Sequence, residues 1–379
     1  MLFRKPDQVR EPLYAIVPLQ NPWRWRSRWK HTERAIKHFI DAGAVVYLVE
    51  VAFNRREFAF ADSGLDGTLA SCEVLGPNHN HRHRYIGLRS THELWLKENM
   101  INVGVSRLPH DWQQVCWLDS DVTFLRPNWV GECIHKLQHY DFLQMFSSAR
   151  DLGPNYEMLD ETYPHASGIS FVNAWQQGLL STDLKRLERI TKRVERKVAD
   201  SPLLAADAKR VDADIKKLAR DAADYNYPPR VWPGLAWAAR RTAFDQVGGL
   251  FDVAIWGGGD YDMAHALIEQ AVGRTHHGVH ENYKTMLAEY ESRCCSHIRR
   301  NVGVMEGTVV HYWHGRKTDR KYVEKRKLMN KVAFDPLRHL KRDYQGLYQL
   351  HDDGTENYVH FRDMMRKIAR ERNEDTTEL

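Results

Sequence analysis

The stretch VCWLDSDVTFL, residues 115–125, decides how the chain is read. Its apolar and aromatic residues run into Asp119 and Asp121, and the chain then turns apolar again. Such a run reads as a buried strand, but two carboxylate charges cannot stay dry without a partner. The strand therefore ends at a place with chemistry or at a polar turn. Three readings compete: a pair gripping one divalent cation, an aspartyl nucleophile with its acid partner, and a turn that does nothing.

Working outward, LYAIVPL (13–19) reads as a buried strand, HTERAIKHFIDAG (31–43) as a helix and AVVYLVEVAF (44–53) as a second strand. Strand, helix and strand in that order predict a parallel sheet with a right-handed crossover. A polar region ends in HNHRHRYIG (79–87), and STHELWLKENMINVGVSRLP (90–109) spaces its apolar residues like a helix. The stretch at 115–125 then supplies another central strand. In open α/β sheets ligands gather beyond the carboxyl ends of strands, which is where Asp119 and Asp121 fall.

Farther along, Leu184, Leu187, Ile190, Val194 and Val198 repeat at helical spacing, and Leu204, Ala208, Val211, Ile215 and Leu218 repeat again after DSP. Residues 182–222 are thus expected to form an inserted αα-hairpin, charged on its outer faces. The sheet resumes at LAWAARRTAFDQVGGLFD (235–252), followed by IWGGGDYDMAHALIEQ (255–270) and the strand GTVVHYWHG (307–315). The expected division is a catalytic domain over 1–322 and a charged, helical C-terminal extension over 323–379. Its polar end, RNEDTTEL (372–379), is expected to be disordered.

The 379 residues suffice for one large α/β domain with insertions. A hydrophobic share of 42% with 28% charged residues is that of a soluble globular protein. The net charge of +5 admits an anionic substrate without indicating nucleic acid. Cys72, Cys116, Cys133, Cys294 and Cys295 show no metal-ligand spacing, and their odd number argues against a disulfide framework. With no apolar h-region near the start and no run long enough to span a bilayer, a cytoplasmic enzyme is expected.

Three elements carry chemistry. Where a strand end bends, Asp119 and Asp121 can both approach one hard cation, which completes its shell with phosphate oxygens and water. In GGLFDVAIWGGGDYD (248–262) the glycines after Trp256 allow close backbone approach to a ligand. Asp260 opens a helix there, as general base or merely as an N-cap. In VVHYWHGRKTDR (309–320) His314, or His311 in its place, could be a third ligand to the ion. Arg316, Lys317 and Arg320 would hold phosphate oxygens.

In this order the elements resemble glycosyltransferases of the GT-A fold, galactosyltransferase type. DSD matches their DxD motif, and GGLFDVAIWGGGDYD their Gly-Gly-Phe turn followed by Trp-Gly-Gly and an acidic cluster. YAIVPLQNP (14–22) is similar to the opening strand and turn at the nucleoside, LVEV (48–51) to the second strand, and WLKENMINVGVSRLP (95–109) to the helix whose Asn faces the nucleotide. The resemblance spans residues 12–322 without the hairpin and implies a Rossmann-like, mostly parallel sheet flanked by helices.

It also implies a metal-dependent transferase that moves a hexose from a UDP-sugar, with inversion, to a glycan or a hydroxymethylated DNA base, as in a soluble bacterial, phage or viral enzyme. Mn²⁺ or Mg²⁺ would be held by Asp121, Asp119 and His314. Asp119 would touch ribose or a metal-bound water, and Asp260 would be the base. Trp256 and Gly258 would line the donor, and Pro18, Asn21, Arg28, Glu50 and Asn99 would shape the nucleoside pocket. Two departures stand out: Gly259 occupies the place of a Glu, and Tyr261 that of an acidic residue.

Two alternatives differ in class. WLDSDVTF also matches the haloacid dehalogenase-like phosphatases, with Asp119 as covalent nucleophile and Asp121 as acid/base. The missing Glu at 259 would instead suit a nucleotide-sugar-binding protein that has lost catalysis.

Overall fold

Strand β1 (Leu13–Gln20) is apolar on both faces, and only Pro18 in it is less than buried. Helix α1 (Arg26–Asp41) carries the chain to β2 (Val45–Phe53), in which every residue is buried. β1 and β2 run parallel, from Tyr14 opposite Val45 to Gln20 opposite Val51. Near-continuous apolar runs of this kind belong to strands covered on both faces. α1 supplies one cover through Ala35, Ile36 and Phe39. The computed structural model describes residues 11–61, 83–159, 163, 166–180, 230–274, 279–352 and 354–378. The hairpin expected over 182–222 and Cys72 lie outside the described residues.

β3 (Arg84–Ser90) adds beside β2 in parallel. The sequence reading left this stretch within a polar connection, because its arginines conceal the alternation of Ile86, Leu88 and Ser90 toward the core. Helix α2 (Lys97–Val105) then returns the chain to β4 (Gln114–Leu118), which pairs in parallel with the other side of β1. The sheet order therefore reverses between β1 and β4. That reversal opens a crevice at their carboxyl ends.

The stretch 115–125 is not one strand. β4 stops at Leu118, and β5 (Val122–Phe124) joins a different sheet. After α3 (Trp129–Lys136) come β6 (Phe142–Gln144), β7 (Ser148–Asp151) and β8 (Ser167–Ser170). α4 (Phe171–Gln176), β9 (Arg230–Trp232), β10 (Ala236–Arg240) and α5 (Arg241–Val247) follow. Next are α6 (Gly259–Leu267), α7 (Glu281–His297), β11 (Val302–Val304) and β12 (Thr308–His311). The seven-stranded sheet runs β11-β6-β10-β4-β1-β2-β3, parallel except for β10, and the five-stranded sheet runs β5-β12-β7-β8-β9. The architecture is mixed α/β, a central mostly parallel sheet with flanking helices.

Alternation along β1 builds two cores, since successive side chains face opposite sides. Tyr14 and Ile16 pack with Met100, Trp117, Trp237 and Leu287. Leu13, Ala15 and Val17 pack with Phe39, Leu48, Phe124 and Trp129. The C-terminal part holds α8 (Tyr322–Lys331), α9 (Pro336–His339) and α10 (Glu356–Arg370), together with a hairpin of β13 (Leu340–Arg342) and β14 (Tyr348–Leu350). The polar end expected to be disordered is instead docked on α1, and Glu374 within it is fully buried. Composition misled because ion pairs, not apolar contacts, hold it. Among the described residues no helix is long and apolar enough to cross a membrane.

Candidate functional site

A cleft of about 560 Å³ opens at the carboxyl ends of β1 and β4, with Pro18, Asp119, Asp121, Trp256 and Asp260 in its wall. That volume lies within the range of small-molecule sites. The two aspartates are fixed by different sheets. The Asp119 N–H donates to Leu235 O at 2.8 Å, which extends the β4–β10 ladder. The Tyr312 N–H donates to Asp121 O at 2.8 Å, which extends the β5–β12 pairing. The break at 119–121 is thus the seam between the sheets, and the carboxylates sit in it.

Asp121 faces both histidines at the end of β12. Its Oδ1 lies 3.7 Å from His311 Nε2 and its Oδ2 lies 3.5 Å from His314 Nε2. One ligand atom from each of the three residues falls within 4.8 Å of the others. His311 and His314, the two candidates for a further ligand, both lie beside Asp121. Asp121 Oδ1 is buried without a hydrogen-bond partner among the described residues, so a cation there would satisfy an orphaned acceptor. The donor set fits a divalent ion.

Polar contacts hold both rings of the triad. Arg372 Nη2 can only donate, and it meets His314 Nδ1 at 2.8 Å. His314 Nε2 lies 3.0 Å from His311 Nε2. His311 Nδ1–H in turn donates to Asp151 Oδ1 at 2.7 Å. A carboxylate behind a ligating imidazole orients the ring and raises its basicity. Burial, then the charges of Arg320, His311, Arg372 and Arg28, hold His314 well below the usual histidine range. Burial alone would raise Asp121, but His311, Arg28, His31 and Arg320 outweigh it and hold its carboxyl low.

Lys97 joins the two acidic elements. Its Nζ lies 2.6 Å from Asp119 Oδ1 and 3.8 Å from Asp260 Oδ2. Burial works against its charge, yet Asp119, Asp260 and Glu98 outweigh burial and raise its pKa. Asp119, expected as a metal ligand, pairs with the Lys97 ammonium, and the group of potential ligand atoms found together is Asp121, His311 and His314. Asp260 enters on the first turn of α6, after Gly257 and Gly258 at φ +95° and +96°. Its Oδ2 lies so close over Gly234 that a Cβ there would be 2.1 Å away. Asp262 beside it is pushed up to about 7, by burial first, and accepts from the Tyr283 hydroxyl.

Glu98, which sequence reasoning missed, is 4% exposed and lines the same cleft. A Cβ at Gly259 would fall 2.6 Å from its Cδ, so its carboxyl fills the space beside Gly259. Burial, opposed by Lys97 and aided by Asp260, pushes it up to about 8 from 4.5. The folded chain keeps a proton that the unfolded chain releases. The associated stability is present below about pH 4.5 and is lost as pH rises through about 8. Relative to wild type, Glu98→Gln is expected to gain roughly 2 °C in melting temperature between those pH values. A difference independent of pH in a thermal-melt series would contradict this.

Besides Lys97, the cleft is lined by Arg28, Arg320, Lys325 and Arg372. Arg28, expected to shape the nucleoside pocket, lines the cleft and pairs with Glu374 at 2.6 Å. Arg320 is 6% exposed, and its Nε is buried without a hydrogen-bond partner among the described residues. Burial, with Arg372, Arg320 and Arg28 adding repulsion, pushes Lys325 down to about 7. Arg316 does not line the cleft and pairs with Asp319 and Glu378. The side chain of Lys317 is outside the described residues.

Three other expected residues lie off the cleft wall. Asn21 bonds Trp25 N and O, shaping the turn before α1. Glu50 accepts from Ala59 N, Phe60 N and Tyr85 Oη. Asn99 bonds Asp252, Gly346 O and Tyr348 N. Successive helical residues are about 100° apart, so Lys97 and Glu98 reach the cleft while Asn99 turns to the C-terminal hairpin.

No protein-family model matches the chain. No curated protein matches it either. Among solved structures, the catalytic domain of Drosophila β1,4-galactosyltransferase 7 in complex with xylobiose matches 94% of this chain and 98% of that one, with 10% identity and a TM-score of 0.33. A mutant of the Drosophila enzyme in complex with manganese, UDP-Gal and xylobiose matches over 67% of this chain, which spans 59% of that one, with 10% identity and a TM-score of 0.26. Rv0371c from Mycobacterium tuberculosis H37Rv matches 38% of this chain and 67% of its own, with 10% identity and a TM-score of 0.21. Likenesses this loose carry no argument about chemistry, which rests on the side chains above.

Proposed function

We propose that the protein is a GT-A glycosyltransferase that moves a hexose from a UDP-sugar to an acceptor hydroxyl, with Mn²⁺ rather than Mg²⁺ as its cation. The observation that carries this reading is one cleft holding the Asp121–His311–His314 triad, Asp260, and Arg28, Arg320, Lys325 and Arg372 beside the triad. Two imidazoles in the donor set favour a transition ion, since Mg²⁺ keeps to oxygen ligands. When bound, the ion supplies positive charge to the phosphate oxygens of the donor.

The chain's own residues do the rest. Arg28, Arg320 and Lys325 hold the diphosphate as negative charge builds on it. Asp119, oriented by Lys97, accepts a ribose hydroxyl. Asp260 takes the proton of the acceptor hydroxyl as that oxygen bonds to the anomeric carbon. The bond from that carbon to the phosphate oxygen breaks, its electron pair leaves with the diphosphate, and the configuration inverts.

A sugar acceptor is favoured over a DNA base by the state of the Trp–Arg stretch. Arg24 lies 5.2 Å from the Trp29 ring, and Arg56 and Arg370 lie 5.4 and 4.9 Å from the Trp23 ring. Those faces point to partners away from the cleft, while Trp95 and Trp256 are aromatic side chains in its lining with Asp260. The phosphatase alternative places its aspartate pair after the first strand of the sheet. Here the pair follows β4, and Asp119 is tied to Lys97.

A thermal-shift screen of nucleotide sugars tests the reading. A UDP-hexose at about 100 times its Kd is expected to raise the melting temperature by about 3 °C or more, and only with Mn²⁺ present. No shift with any nucleotide sugar, alongside phosphatase turnover, would decide for the hydrolase. A shift without donor consumption would decide for a binding protein.

A further inference from the structure

We propose that the C-terminal segment 372–376 is a strap that completes the phosphate side of the cleft, and that Arg372 is the cation it delivers to the donor diphosphate. This rests on the transferase reading above.

The strap is built in, not draped. Helix α1 has Trp25 as its N-cap residue, with no side-chain cap of its own. Asp375 supplies one, its two carboxylate oxygens accepting from Arg26 N at 3.0 Å and Ser27 N at 2.9 Å. Carboxylates at a helix N-terminus are favourable for orphan donors and dipole alike. Trp313 Nε1–H donates to Thr376 O at 2.6 Å. Gly315, at φ +83°, has Asn373 O where its Cβ would be, 2.2 Å away, so a side chain there would push the strap off. Glu374, fully buried, takes Arg28 on both oxygens at 2.7 and 2.6 Å and Arg372 at 2.6 Å. Buried charges persist only when paired in this way.

These anchors put Arg372 in the cleft wall, against His314 and beside Arg28, Arg320 and Lys325. Three guanidinium groups there, those of Arg28, Arg320 and Arg372, face the two carboxylates of Asp121 and Glu374, so positive charge is in excess even with Lys325 only partly charged. Arg320 Nε, buried and without a hydrogen-bond partner among the described residues, is a second sign of a missing anion. A diphosphate supplies both the charge and the acceptors, and Arg is suited to phosphate oxygens.

The test is calorimetric titration of the full chain with inorganic pyrophosphate and with UDP, each in the presence of Mn²⁺. Arg372→Ala is expected to weaken both ligands by about 10- to 100-fold, the range for losing one charged hydrogen bond. Arg372→Lys is expected to recover part of that loss. A chain ending at Glu371 is expected to bind no better than Arg372→Ala. Binding by Arg372→Ala within twofold of wild type overturns the proposal. So does equal weakness of the Lys and Ala variants, which marks the loss as structural. If wild type binds neither ligand, the transferase reading itself fails; if it binds both and Arg372→Ala does too, only the strap fails.

Discussion

Replacing Asp260 with asparagine is expected to lower kcat by about 10²- to 10⁴-fold, the usual contribution of a general base, while UDP affinity stays within about twofold. Asparagine keeps the volume that fits over Gly234, and Lys97 keeps its 2.6 Å partner in Asp119. The cleft should therefore hold its shape. Under the proposed mechanism the substitution removes the group that takes the acceptor proton, an interaction made only as the new bond forms, so kcat and kcat/KM should fall together. Steady-state kinetics with donor and acceptor, set beside UDP titration, separates the two effects. Turnover near wild type would remove Asp260 from its role, and a matching loss of UDP affinity would reassign it to donor binding.

Asp121→Ala should act on a different quantity. It removes the carboxylate of the triad and leaves His311 and His314 among Arg28, Arg320 and Arg372. Mn²⁺ affinity is expected to drop by about 100-fold or more, since outer partners alone are worth 10- to 100-fold. The Mn²⁺-dependent stabilisation by UDP should vanish, and turnover should fall by about 10³-fold or more. Removing a buried charge also unbalances the nearby cations, so Asp121→Asn serves as the isosteric control. Titration by electron paramagnetic resonance reads the free ion directly. Wild-type Mn²⁺ affinity in both variants would place the ion elsewhere.

Local signals in the sequence carried the strand–helix–strand opening, because β1 and β2 are apolar throughout and α1 keeps one apolar stripe. The aspartate pair, Asp260 and the two histidines were legible for a similar reason: charged groups beside apolar runs need an explanation. Lys97 and Glu98 had no such mark. In WLKEN they look like the solvated face of a helix, and their meaning comes from Asp119 and Asp260, which are distant in sequence. Asn99 misled because its neighbours share its helix but not its direction. The docking of residues 372–376 was invisible for the same cause as Lys97. Polar composition predicts disorder unless partners are known, and here Arg28 lies 346 residues away.

The cap that Asp375 places on Arg26 also has a consequence for biosynthesis. The two residues are separated by 349 positions, and a ribosome adding about 5–20 residues per second needs roughly 17–70 s to cover that distance. During that interval the first turn of α1 exists without its cap, and Arg28 waits for its counterion. The nascent N-terminal unit is thus expected to be more open to proteases and chaperones than the released chain, its last tightening set by translation rather than by intrinsic folding speed.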